Sequence, residues 1–370
     1  MKALATATGL PRAAAPGFFL CFASPRYDAG EVGRALGELP LPAFGCTTAG
    51  EISEAGFSED AIVGAWIDAP GARIGAAVLE GVDRADFAAG RDTVERAAAA
   101  LGEPVSALDP RRHVALLLCD GVVGREETLA ASMAATMPEI SLAGGSAAAG
   151  GGYAAAAHLF HGGRTLTNAA ILLLLRWDAP FVVLKADHHE PTDVRTVVTR
   201  ADPERRLVFE LDGRPAAERY AQLLGLSRSA LDISSASGCP FACFVDGVPY
   251  VRSVSAVEGD TLRFACAVAE GVVLRLTRAT DLPASTLRSL DDARSRLGCE
   301  PALFVAFNCF GRYLLARRDG TIDALGRALT SVPVIGFNTY GEQHGGLHVN
   351  HTLTGVLLGH HQPSTSAGQQ

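Results

Sequence analysis

The sequence predicts an α/β protein: a two-domain mixed-sheet sandwich with internally repeated βαβ units and helices on its outer faces. Three observations carry that expectation. Short continuous apolar runs alternate with helix-like stretches, the pattern of strands covered on both faces. One strand–helix–strand grammar occurs three times along the chain. Two of the three copies end in the same loop, Gly-x-x-Thr-x-Gly-Glu.

The first copy runs from the strand Phe18-Phe-Leu-Cys-Phe22, through a helix near Gly30 to Leu39, to Leu41-Pro-Ala-Phe-Gly45. The second runs from Val114-Ala-Leu-Leu-Leu-Cys119, through a helix around Arg125 to Met137, to Pro138-Glu-Ile-Ser-Leu-Ala-Gly144. The third runs from Ala302-Leu-Phe-Val-Ala-Phe307, through a helix around Thr321 to Leu329, to Val332-Pro-Val-Ile-Gly336. Alternating segments such as Ala61 to Ile67, Ala170 to Leu175, Phe181 to Leu184, Tyr250 to Val254 and Val272 to Leu276 read as antiparallel strands, so the sheets are mixed. Gly144 to Gly152 is too rich in Gly and Ala to pack and reads as a mobile or closely approached loop. The turn residues Asp212-Gly-Arg-Pro215 suggest a boundary. The expected domains are residues 15–211 and 212–361, followed by a disordered tail at 362–370.

Composition narrows the function. At 48% hydrophobic and 19% charged, 370 residues can bury two substantial cores. The net charge of -8, with no basic block, argues against a nucleic-acid partner. No apolar run approaches the roughly 18 residues that span a bilayer. Pro11, Arg12 and Pro16 interrupt what a signal peptide would need, so a cytoplasmic location and no membrane are expected. Most of the eight cysteines lie in apolar runs and read as buried free thiols. The spacing of Cys239-Pro-Phe-Ala-Cys243 is neither a redox nor a zinc-knuckle spacing.

The repeated loop bears polar groups at strand ends, where α/β folds place their sites. Thr48 with Glu51, and Thr339 with Glu342, would line one cleft if the two loops face each other; otherwise the same residues cap turns and helices. No Lys follows the second glycine, so this is not a phosphate loop. Among ten histidines, His344, His348 and His351 cluster just beyond Glu342. If His348 starts a strand, His348 and Asn350 share one face and His351 the other, which favours a single-histidine site over a multi-histidine one. In His188-His189, too, only one ring is expected to point at a given pocket. Neither a Gly-x-Ser-x-Gly elbow nor a His-Glu-x-x-His helix occurs, and a Cys309–His348 nucleophile pair is disfavoured because Cys309 ends an apolar strand. An enzyme is therefore not expected.

From about Phe18 to Gly359 the chain resembles the FIST sensory family, with its N-terminal and C-terminal halves. The matching pieces are Gly45 to Glu51, Asp120-Gly, Glu126-Glu127, Gly144-Gly-Ser146, Val197-Val-Thr199, Glu210 to Ala216 and Tyr220. They continue with Tyr250-Val-Arg252, Glu270-Gly271, Phe307 to Arg312, Gly336 to Glu342 and Asn350-His-Thr352. Pro191-Thr192, Val197 to Asp202, Phe337 to Gln343, Leu347 to Asn350 and Thr352 to Gly355 resemble the branch of bacterial nitric-oxide-sensing haem proteins; His351 stands where that branch suggests Gln. The branch implies a stand-alone sensor with one b-type haem on a single histidine. It also implies relay of nitric oxide binding to a partner histidine kinase, or to a diguanylate cyclase or phosphodiesterase. His348 is the first choice of iron ligand, then His188 and His351, with Glu342 or Asn350 fixing the ring and Arg252 or Arg312 near the propionates. The wider family implies the alternative, a haem-free sensor for a small organic ligand such as an amino acid. The expected pocket comprises Thr48, Glu51, Arg312, Thr339, Tyr340, Glu342 and Asn350. Oligomeric state, including a homodimer, is left open.

Overall fold

A computed structural model describes residues 17–68, 71–150, 156–232 and 238–360. The fold is mixed α/β, with seven α-helices among the described residues and four sheets. The expectations for residues 1–16, for Gly151 and Gly152, and for the tail from 362 lie outside the described residues.

The three copies are present, and each is built around a parallel pair. Gly17–Ala23 pairs with Ala43–Thr47, His113–Asp120 with Leu142–Ala147, and Pro301–Cys309 with Val334–Thr339. Side chains alternate along each first strand, and both faces are buried. Phe18, Leu20 and Phe22 enter a central core, while Phe19, Cys21 and Ala23 pack under the helix Ala29–Gly37. Leu116, Leu118, Val305 and Phe307 enter the same central core from the other two copies. Their neighbours Leu117 and Cys119, and Phe304 and Ala306, face outer clusters that include residues of the helices Phe87–Leu101 and Leu282–Leu297. This two-sided burial is why these strands read as continuous apolar runs.

The glycine that ends each copy has one cause. Gly45, Gly144 and Gly336 sit opposite Cys21, Leu117 and Ala306 in the parallel pairs. A Cβ on any of the three would collide with the carbonyl oxygen of that partner.

The copies exchange hairpins in a ring. After its second strand, each copy sends a short hairpin onto the sheet of another, then returns antiparallel to its own first strand. Glu51–Ser53 pairs with Val334–Thr339, Glu342–His344 with Leu142–Ala147, and Leu159–His161 with Ala43–Thr47. The return strands are Ile62–Asp68, Ala169–Arg176 and Leu353–Gly359. Strands from either side of residue 212 share three of the four sheets. The fourth sheet, antiparallel, is built from strands lying between His189 and Ala279.

Part of the Gly144–Gly152 stretch departs from the expected loop: Leu142–Ala147 is a buried strand. Its small residues answer to close strand approach on Leu117 and on Phe307, which a Cβ at Gly145 would crowd.

Candidate functional site

The three loops that follow the glycines meet where the copies converge. Ala49 N–H donates to Asn338 O, Ala148 N–H to Thr47 O and Tyr340 N–H to Ser146 O, closing a cycle through all three copies. Ala49, Ala148 and Tyr340 form one apolar cluster with Phe310 packed against it. The two Gly-x-x-Thr-x-Gly-Glu loops thus interlock; they do not face each other across an open cleft.

Within each loop the polar pair is spent on the chain. Thr48 Oγ1 donates to Glu51 Oε1 at 2.5 Å, and Glu51 Oε2 accepts from Ala61 N–H at 3.0 Å. Thr339 Oγ1 donates to Glu342 Oε1 at 2.6 Å, and Glu342 Oε2 accepts from Thr352 N–H at 3.1 Å and from Thr352 Oγ1 at 2.7 Å. Each glutamate ties its loop to the far end of its own hairpin. Burial raises the Glu51 carboxyl and lifts Glu342 to about 7, against the lowering pull of these hydrogen bonds. Arg312 is fully buried, its guanidinium donating to Asn308 Oδ1 at 2.9 Å and Thr286 Oγ1 at 2.6 Å and lying 3.2 Å from His188 Nδ1. Asn350 is buried, its amide donating to Val349 O.

Of the expected pocket residues, Tyr340 borders a cleft. This cavity of about 490 Å³ is lined by Gly121 to Gly124, Glu204 to Arg206, Ser255, Ala256, Arg263 to Ala265 and Tyr340. Gly121 directly follows His113–Asp120, so the cleft opens at the carboxyl end of a parallel strand, the position where α/β sheets bind ligands. The Tyr340 hydroxyl donates to Gly150 O at 2.8 Å. Gly150 in turn lines a second cavity of about 500 Å³ with Thr48, Ala49, Gly50, Phe310 and Tyr313. Tyr340 therefore stands between the two.

A buried ionic network backs the first cleft. Arg206 donates to Glu126 at 2.5 Å, to Glu127 at 2.7 Å and to Ala265 O at 3.1 Å. Glu127 also accepts from Ala267 N–H at 2.7 Å. Burial pushes its carboxyl up, but His348 and Arg206 outweigh that and hold it down to about 2. His348 is part of this network. It sits opposite Gln343 in the hairpin, Nδ1 is 3.3 Å from Gln343 Nε2, and Nε2 is 3.3 Å from Ala265 O. Its ring neighbour is Gln343, where the sequence reading named Glu342 or Asn350. Arg252 donates to His348 O at 3.2 Å.

The expectation that only one of His188 and His189 points at a given site is corrected. Their ring centroids are 4.0 Å apart, and His351 stands 6.0 Å from His188 and 5.1 Å from His189. Strict alternation fails because His188 lies between two strands, Phe181–Ala186 and His189–Asp202. All three rings are buried and held neutral. Burial is the main cause, carrying His188 well below the usual range, His189 to about 2 and His351 to about 4. The sequence offers His188 and His351 as separate alternatives, treats His189 as the ring turned away, and does not mark Arg206. Glu126 and Glu127 entered only as family matches, since nothing local marks a pair of glutamates at a helix start as facing an arginine eighty residues away.

Comparison with known proteins completes the picture. Residues 17–214 match the FIST N domain, and residues 216–344 match the FIST C domain. An uncharacterized protein of Methanocaldococcus jannaschii is 25% identical over 167 residues, which are 41% of this chain and 32% of that protein. The chain thus spans about a third of the length of this curated relative. No helix among the described residues is long and apolar enough to cross a membrane.

Proposed function

The chain belongs to the FIST family of sensory signalling domains, and from that premise we propose that it senses a small organic anion in the cleft beside Tyr340 and reports it to a partner signalling enzyme. The observation that carries this reading is the composition of the cleft wall. Gly121 to Gly124 and Glu204 to Arg206 come from the FIST N segment, while Ser255, Ala256, Arg263 to Ala265 and Tyr340 come from the FIST C segment. A ligand touching both halves stabilises one arrangement of them over another, which is all that a sensor requires. Its volume suits a small molecule. Its charged lining residues are Glu204, Arg205, Arg206 and Arg263, and the arginines are the partners a carboxylate would take. Arg206 is matched by Glu126 and Glu127 and Arg263 by Glu258, whereas Arg205 is exposed.

The haem and nitric oxide reading rests on resemblance. A haem iron needs an imidazole nitrogen turned toward open space. Both nitrogens of His348 lie within hydrogen-bonding distance of protein atoms, and Ala265 stands between Nε2 and the cleft. His348 in this arrangement does not fit the group. Thr48, Glu51, Thr339 and Glu342 are committed to hydrogen bonds within the chain, so the cleft is the better ligand site.

The test is a thermal-shift screen of amino acids and other small carboxylates, run beside a haem titration. At least one carboxylate is expected to raise the melting temperature in a saturable way, as a ligand bound only by the folded state must. If none does, and haem instead binds at one equivalent with a Soret band that His348→Ala abolishes, the reading fails in favour of the haem sensor.

A further inference from the structure

Away from the cleft, the described residues bring together His188, His189 and His351, with one ligand atom of each within 4.8 Å of the others. We propose that these three histidines bind a single non-haem divalent transition-metal ion, Zn²⁺ or a congener, as a three-nitrogen centre with one coordination position open.

Orphaned nitrogens make the first argument. The three residues are only 1%, 6% and 2% exposed. Four of their ring nitrogens, His188 Nε2, both of His189 and His351 Nδ1, have no hydrogen-bond partner. Each unsatisfied buried polar atom costs on the order of 1–3 kcal/mol, and one ion satisfies three of them together. Neutral imidazole is the form that ligates metal, and burial keeps these rings neutral. Three histidine nitrogens plus an open position are a donor set that suits zinc and its neighbours. A tetrahedral ion with bonds of about 2.0–2.1 Å spaces its ligands by roughly 3.4 Å. The ligand atoms, now within 4.8 Å of one another, therefore close by at most about 1.4 Å on loading.

A second argument comes from the internal repeat. His351 has a positive φ of 54°, at the turn between its hairpin and its return strand. Asp60 and Asn168 hold the same place in the other two copies, with φ of 60° and 49°. Asn and Asp adopt this conformation more readily than most residues. Only this copy carries a histidine there. Gly311 makes room for it, since a Cβ at that position would sit 2.9 Å from His351 Nε2.

The outer contacts are those of a metal site. His351 Nε2 lies 3.1 Å from Ser253 Oγ, leaving Nδ1 for the ion. The His188 carbonyl is anchored by Thr280 N–H at 2.7 Å and Thr280 Oγ1 at 2.9 Å. Arg312 is the competitor. While it donates to His188 Nδ1, the ring proton sits on Nε2. Loading moves that proton to Nδ1 and opens the Arg312 contact. An ion here pins the start of His189–Asp202, whose far end leads into Glu204 to Arg206 of the cleft wall.

The test uses full-length protein stripped with a chelator, then titrated with Co²⁺ alone and with Zn²⁺ in competition. The wild type is expected to take up one equivalent of Co²⁺, with the intense visible d–d bands of a four-coordinate site, and to release it to Zn²⁺. His189→Ala and His351→Asn are expected to lose that binding at least 100-fold. The asparagine is the residue that the second copy already carries at this turn, so it preserves the backbone. Both variants are expected to fold in the absence of metal, as their melting temperatures check: His189 has no hydrogen bond to lose, and His351→Asn gives up only the contact with Ser253. Uptake of less than half an equivalent by the wild type overturns the proposal. So does undiminished uptake by either folded variant, and the first result would leave an ordered water as the occupant of the cluster.

Discussion

Thr339 and Glu342 are bound to each other: the threonine hydroxyl donates to the carboxylate at 2.6 Å, and both side chains are fully buried. Thr48 and Glu51 repeat the relationship at 2.5 Å in the first copy. In the second copy Leu159 takes the glutamate's place, pairing with Cys46 as Glu51 pairs with Phe337 and Glu342 with Gly145. The recurring Thr-x-x-Glu is thus a brace of the fold.

Removing the brace has a pH signature. Burial lifts the Glu342 carboxyl from 4.5 to about 7, so the folded state holds a proton there that the unfolded chain releases. Stability from this group is greatest below pH 4.5 and falls as pH rises toward 7, by roughly 3 kcal/mol in all. Glu342→Gln keeps neutral hydrogen-bonding groups toward Thr339 and Thr352 and is expected to flatten that slope. Glu342→Ala leaves both threonine hydroxyls without their acceptor and is expected to cost about 2–4 kcal/mol. Urea midpoints of the three proteins between pH 4.5 and 8 check both statements.

A steric rule governs the strand glycines. Gly45→Ala and Gly336→Ala each drive a methyl into a backbone carbonyl of the adjacent parallel strand. Each is expected to destabilise by about 3 kcal/mol or more, at the upper end of overpacking. Gly102, a helix cap with φ of 87° and nothing within 4 Å of a Cβ, is expected to lose only about 1 kcal/mol on Gly→Ala. Chemical denaturation orders the three.

How much of this was legible beforehand follows from separation along the chain. The βαβ copies and their glycines are written in local apolar runs, and the structure places strands and helices there. The hairpin exchange is not local. Leu159 on Cys46 and Glu342 on Gly145 are pairings across more than a hundred residues, which periodicity does not encode. The histidine site was hidden for two reasons. His188 lies between strands, where alternation says nothing, and His351 sits in a left-handed turn that redirects its ring. The repeated loop resembles a ligand site in sequence because its polar residues are local, whereas partners such as Thr352 and Ala61 lie about ten residues on.

Arg206 is expected to be the costliest charge to delete. Its guanidinium is mostly buried against Glu126 and Glu127, so Arg206→Ala strands two carboxylates and is expected to destabilise by about 3–5 kcal/mol. The triple change Arg206→Met, Glu126→Gln, Glu127→Gln is expected to recover most of that loss. A denaturation cycle across these variants measures it.

In the proposed sensor, the cleft between the two FIST segments holds the sensed ligand. Ala256 is half-buried in its wall, and Ala256→Trp adds an indole that fills the space. The decisive measurement is isothermal titration of the carboxylate found in the screen into wild type, Ala256→Trp and Arg205→Ala. The expected result is one site in the wild type, no detectable heat with Ala256→Trp, and at least a tenfold weaker Kd with Arg205→Ala, all with unchanged melting temperatures in the absence of ligand. Undiminished affinity in a folded Ala256→Trp protein would place the ligand outside this cleft.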